Sequence, residues 1–174
     1  ELRTLVTDGV YNRVRVKNHD CEAKDLAYLG TTPHETPVWI DRTAAEADLV
    51  VCLGAATHHV MAGYGGGRKS ILPGISGRET IFHNHAFSLD AAQLRSNPAI
   101  GNGVLKGNPL HEDMCEAASL VNNLFMVNLV MNADMKLSYI FSGHYLTSWE
   151  RACTAVDDIY RVDIPCQADA IVTS

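Results

Sequence analysis

The stretch "LVVCLGAATHHVMAGYGGGRKSILPG", Leu49 to Gly74, decides how this chain is read. It opens with "LVVCLG" (Leu49 to Gly54), an apolar run that breaks at a glycine, as the buried strands of parallel sheets do. A loop rich in histidine and glycine follows, and a Pro-Gly turn closes it. Working outward, "RVRVKN" (Arg13 to Asn18) alternates like a strand. "PVWID" is a second short strand, and "RTAAEAD" supplies a short helix. "GRETIFHNHAFSLD" is compatible with a helix. "NPLHEDMCEAASLVNN" is a stronger helix, with Asn108 placed to cap it and Pro109 in its first turn. "LFMVNLVMN" and "LSYIFSG" are strands, "SWERACTAVDDIY" is a helix, and "DAIVTS" is again strand-like. "ELRTLVTDGV" resembles the tail of a helix. Strands alternating with helices predict an α/β fold, a layered sheet with flanking helices. In such sheets ligands sit at the carboxyl ends of strands. The His58 to Gly74 loop occupies such an end.

The bulk properties narrow the function. The chain has 174 residues, long enough for a domain with its own core. The expected organisation is an α/β domain over residues 1–165, incomplete at its N-terminal side, with 166–174 beginning a linker or a further domain. A formal charge of -6 argues against a nucleic-acid-binding surface. No apolar run reaches the roughly 20 residues needed to span a bilayer. Five cysteines, none in a C-x-x-C pair, argue against a disulfide framework or a structural zinc site. A reducing, cytoplasmic setting is expected.

The loop itself suggests an anionic ligand. Gly63, Gly65, Gly66 and Gly67 permit close backbone approach, and successive N–H groups there could cradle an anion. Arg68 and Lys69 add positive charge. The string is neither a P-loop nor a Rossmann fingerprint, because Arg68 stands where each requires glycine. His59 and His85 bracket the cradle, and histidine serves both as metal ligand and as acid–base group. From these residues alone three readings stay open: an enzyme site, a non-catalytic phosphate- or nucleotide-binding module, and a histidine-ligated metal hydrolase.

The longer string "THHVMAGYGGGRKSILPGISGRETIFHNH" resembles the core motif of the nickel-pincer lactate racemase family. The matching residues are His59, Gly66-Gly67-Arg68-Lys69, Pro73-Gly74, Thr80-Ile81 and Asn84-His85. "VKNHD", "LGTT", "ADLVVCLG", "GNPLHED" and "FSGHYLTSW" resemble further landmarks in the same order. The resemblance implies a racemase or epimerase of a lactate-like 2-hydroxy acid. Its cofactor would be a nickel pincer nucleotide, a pyridinium mononucleotide with sulfur-bearing arms and nickel. It implies Lys69 as the covalent thioamide anchor, His85 as the nickel ligand and His59 as one of two acid–base histidines. Gly65, Gly66, Gly67, Pro73 and Gly74 would line the cofactor. It further implies a small 2-hydroxy acid substrate and cofactor-making enzymes as partners. The second base and a substrate-binding arginine would lie upstream, and a complementary domain downstream. The stretch at hand alone is therefore expected to be inactive, with a homodimer as one way to cover its cleft surface.

Overall fold

The computed structural model describes residues 2–166 and residue 170. The chain is α/β. Helix α1 (Leu2–Tyr11) is interrupted at Thr7, where φ is 66°. An antiparallel hairpin of β1 (Ala27–Thr31) and β2 (Pro37–Ile40) follows, then the short α2 (Arg42–Ala45). Strand β3 (Val50–Ala55) leads into a two-residue pair, β4 (His58–His59) and β5 (Gly63–Tyr64). Next come a 3-10 turn (Gly67–Ser70), helix α3 (Arg78–Ala86) and a small pair, β6 (Leu89–Asp90) with β7 (Arg95–Ser96). Helix α4 (Pro109–Ser119), strands β8 (Leu124–Met131) and β9 (Leu137–His144) and helix α5 (Thr147–Tyr160) complete the order.

The main sheet runs β3-β8-β9, with β3 parallel to β8 and β9 antiparallel. One face is covered. Met126, Asn128 and Val130 point into it and are buried. Two apolar clusters lie there. One joins Val38 and Ile40 to Ile71, Leu72, Leu110 and Met114. The other packs Val130, Ala56 and Tyr64 against Trp149, Ala152 and Val156 of α5. Fully burying side chains of this size stabilises by about 1.5–3 kcal/mol each.

The opposite face is apolar and open. Val51 and Leu53 are 58% and 68% exposed, Phe125 lies beside Val51 in register, and the exposed Ile140 pairs with Leu129 further along the sheet. The unbroken apolar run of β3 suits a strand covered on both faces, and the described residues cover one. The strand expected over Arg13–Asn18 does not form. Its alternating side chains have no surface to bury against, and Val14 is 54% exposed. Lys17 instead reaches across to the Asp41 carboxylate and the Thr43 hydroxyl. Strand β1 was not expected from the sequence. Most of "DAIVTS" lies outside the described residues.

Two buried polar residues lock these layers together. Asn108 caps α4 by accepting the His111 N–H, and its amide donates to the carbonyls of Met61 and Val104. Asp113 of α4 accepts from the Thr32 and Thr36 hydroxyls of the β1–β2 turn and from the Asn84 amide of α3.

Candidate functional site

The segment after β3 folds back on itself as the tight β4–β5 pair, with His58 opposite Tyr64 and His59 opposite Gly63. Successive side chains of a strand point to opposite sides. His58 turns toward α5, where its Nε2 meets Asp157 Oδ1 at 2.9 Å, and the Tyr64 hydroxyl donates to the same carboxylate at 2.7 Å. Burial and Asp157 together push the Tyr64 phenol up from its ordinary value. His59 turns the other way, toward the 3-10 turn, and its Nε2 lies 3.3 Å from Lys69 Nζ. Its Nδ1 accepts the N–H groups of Met61 and Ala62 at 3.2 and 3.1 Å.

Lys69 is half-buried. Burial, then the neighbouring Arg68 guanidinium, lower its pKa. Burial, then the charges of Lys69, Arg68 and His85, lower that of His59. The three residues expected to act together thus share one electrostatic neighbourhood. His85, on α3, donates Nδ1–H to the Ile81 carbonyl at 2.9 Å. That bond fixes the tautomer and leaves Nε2 with its lone pair, which has no protein partner among the described residues. An imidazole held in this way could ligate a metal, since ligating histidines have their other nitrogen oriented by such an acceptor. His83, two residues earlier, is exposed.

The glycine cluster has partners inside the protein. The Gly65 N–H donates to the Thr57 carbonyl and the Gly67 N–H to Asn128 Oδ1, so neither is offered to an anion. The Gly65 carbonyl accepts the Trp149 indole N–H at 2.8 Å. A Cβ on Gly67 would clash with Trp149 Cγ and Cδ1 and lie 2.9 Å from Trp149 Cβ, and φ there is +55°. A Cβ on Gly66 would lie 2.8 Å from the Ala55 carbonyl oxygen. At Pro73–Gly74 the chain turns tightly, with the Gly74 N–H on the Lys69 carbonyl.

Arg68 turns inward rather than lining the loop surface, and it adds its charge from beneath, acting on both Lys69 and His59. It is 1% exposed. Its guanidinium donates to the carbonyls of Tyr64 and Ala62 and to His111 Nδ1, and it stacks on Trp149 with 3.9 Å to the ring centroid. Burial lowers Arg68 to about 10, and burial with the Arg68 charge drives His111 to about 4. His111 is therefore a neutral acceptor beneath the loop.

Three supporting residues escaped the sequence reading. Asn128 is a polar residue inside the apolar run of β8, an oddity that could have marked it. Trp149 and Asp157 reach the loop from α5, and nothing local announces them. A separate group, His34, Asp113 and Glu116, brings three donor atoms within 4.8 Å of one another. Three protein donors already hold Asp113, and His34 Nδ1 is 2.7 Å from Glu116, which raises the His34 pKa. This is a hydrogen-bonded brace between β1–β2 and α4. Among the described residues, no helix is long and apolar enough to cross a membrane.

The family described as lactate racemase N-terminal domain matches residues 1–96. A lactate racemase of Thermoanaerobacterium thermosaccharolyticum is 35% identical over 167 residues, 96% of this chain and 38% of that protein. A lactate racemase of Lactiplantibacillus plantarum is 32% identical over 155 residues, 89% of this chain and 35% of that protein. The structure of the lactate racemase apoprotein from Thermoanaerobacterium thermosaccharolyticum superposes with a TM-score of 0.82 at 33% identity, covering 91% of this chain and 37% of that one. A protein of Thermotoga maritima shares the fold, with a TM-score of 0.63 at 22% identity over 82% of this chain and 39% of that one. The chain spans little more than a third of the length of these relatives.

Proposed function

The chain belongs to the lactate racemase N-terminal domain family, and from that premise we propose that it supplies the cofactor-anchoring half of a racemase acting on a lactate-like 2-hydroxy acid. The observation that carries this reading is the juxtaposition of a half-buried amine against an imidazole. Lys69 Nζ and His59 Nε2 lie 3.3 Å apart, and no carboxylate pairs with either among the described residues.

The cofactor proposed is a nickel pincer nucleotide. The residues present fit it. Lys69 offers an amine whose charged form is disfavoured by burial, and His85 offers an sp² nitrogen lone pair held by the Ile81 carbonyl. A nitrogen donor beside sulfur donors suits nickel in a planar site. When bound, the group would supply a centre that takes up and returns the α-hydrogen of the substrate with its electron pair. Lys69 would anchor it, His85 would complete the metal's donors, and the loop from Gly65 through Gly74 would position it.

His59 would exchange the hydroxyl proton of the substrate. Its depressed pKa keeps it neutral near pH 7, as a proton acceptor requires. Accepting a proton at Nε2 requires Nδ1 to carry the other one. The Met61 and Ala62 N–H groups must then release Nδ1, which sets a local rearrangement of the β4–β5 turn as part of the working cycle. A second base on the opposite face, an arginine for the substrate carboxylate, cofactor-making enzymes and a covering domain or second copy belong to the whole protein in this proposal.

The test is the intact mass of full-length protein co-expressed with cofactor-making enzymes, with D- and L-lactate followed by chiral chromatography. An adduct mapping to the Lys69 peptide and interconversion of the enantiomers are expected. Lys69→Arg keeps a long basic side chain but not the nucleophile, and should remove both. An adduct that persists in Lys69→Arg refutes the anchor.

A further inference from the structure

The hydrogen bonds around His59 restrict where protons can be. An imidazole nitrogen that accepts hydrogen bonds must be bare, and a neutral imidazole carries one proton. His59 Nδ1 accepts from Met61 and Ala62, so the proton resides on Nε2. That nitrogen faces Lys69 Nζ at 3.3 Å. An ammonium group has three donors and no acceptor, so a charged Lys69 would set donor against donor. A neutral amine has a lone pair and completes the bond. Its surroundings agree. Arg68, adjacent in sequence and 1% exposed, is a buried positive charge without a carboxylate partner among the described residues. Its positive charge acts on both members of the pair, disfavouring a second charge on either.

We propose that in the cofactor-free protein His59 and Lys69 form one neutral pair, with His59 Nε2–H donating to an unprotonated Lys69 amine. His59 is then a positioning residue for anchoring before it meets any substrate. It presents Lys69 as a free-base nucleophile for a thiocarboxyl carbon: the amine nitrogen bonds to that carbon, the carbon–oxygen bond breaks, and water leaves with the amine's proton to give a thioamide. The pair belongs to the unloaded state alone, because an amide or thioamide nitrogen has a delocalised lone pair and no longer accepts. The inference rests on Lys69 being the anchor, and it can fail separately from it.

Two readouts on cofactor-free full-length protein test the pair. The first is acetylation by an N-hydroxysuccinimide ester from about pH 6 to about pH 10, mapped by peptide mass and normalised to each lysine's own high-pH plateau. Lys24, Lys106 and Lys136 are exposed and serve as comparators. Lys69 should reach half its plateau at lower pH than all three, and be several-fold more modified than they are at neutral pH. The second is the nitrogen spectrum of the His59 ring, assigned by its loss in His59→Gln. Nδ1 should appear unprotonated and Nε2 protonated near pH 7. Lysine labelling in step with the comparators, or a protonated Nδ1, overturns the proposal. If both readouts hold but loaded protein carries no adduct on Lys69, the pair stands and the anchor falls. If the adduct forms while Lys69 labels like the comparators, the anchor stands and the pair falls.

Discussion

Gly67→Ala separates two reasons for a glycine in the loop. If Gly67 is glycine because a ligand approaches it, alanine should damage cofactor loading and leave the cofactor-free fold intact. The structure favours the other reason. The new methyl group would press against Trp149 Cγ and Cδ1, at a backbone angle of φ +55°. The left-handed conformation costs an alanine about 1–2 kcal/mol. Forcing a methyl into a packed site costs about 1–3 kcal/mol more. The sum is about 2–5 kcal/mol in the absence of any ligand. Gly107 provides the control, since φ is +74° there and a Cβ would meet nothing within 4 Å. Gly107→Ala should therefore lose only the conformational share, about 1–2 kcal/mol. The assay is equilibrium denaturant unfolding of cofactor-free protein, followed by circular dichroism. Trp149→Leu completes a cycle, because a smaller side chain should relieve the clash and make the double variant less damaged than the sum of the singles. Equal costs for Gly67→Ala and Gly107→Ala, or strict additivity with Trp149→Leu, would refute the packing argument.

Other outcomes are equally checkable. His85→Ala should lose nickel about tenfold or more, since even outer contacts of a ligand are worth that much. His83→Ala should retain nickel, with metal analysis and circular dichroism run together. Asp113→Ala strands the Thr32, Thr36 and Asn84 donors and should destabilise by about 3 kcal/mol or more, at about 1–3 kcal/mol for each; a loss below about 1 kcal/mol in denaturant titration would show the brace to be dispensable. His34 has its pKa raised above 6.5, chiefly by the hydrogen bond to Glu116. The folded state therefore binds the proton more tightly than the unfolded one. That stabilisation is complete below the unfolded value and fades as pH rises through the folded one. His34→Gln should flatten the fall in unfolding midpoint across that window, and an unchanged slope would remove Glu116 from the explanation.

Much of the fold was legible because its signals are local. The Asn108-Pro109 cap, the apolar run of β8 and the helical spacing of α5 each need only a short window. Strand β1 was missed because "AYLGT" has little alternation and pairs with β2 through a register shift. The Arg13–Asn18 strand was misread because alternation does not guarantee a surface to bury against. At the site, residue identities came from a resemblance, and geometry supplied what identities cannot. Nothing in "GGGRKS" says that Arg68 folds inward over the Trp149 ring while Lys69 stays half-buried beside His59. Adjacent residues with similar charge were assigned similar duties, and long-range packing from α5 divided them. The proton on His59 was likewise invisible, because it depends on which backbone N–H groups meet Nδ1.

The contact between Trp149 and the loop also gives the molecule an optical handle. The indole donates to the Gly65 carbonyl, lies under Arg68 and stacks with His111, at 5.5 Å between ring centroids. Indole emission responds to such neighbours, so the backbone that would carry the anchor is read by a chromophore native to the chain. The other tryptophan of the chain, Trp39, sits on β2 beside Tyr28 and apart from that loop. A Trp39→Phe background would isolate the Trp149 signal, and arrival of a ligand at the loop could then be timed by stopped-flow fluorescence without any label.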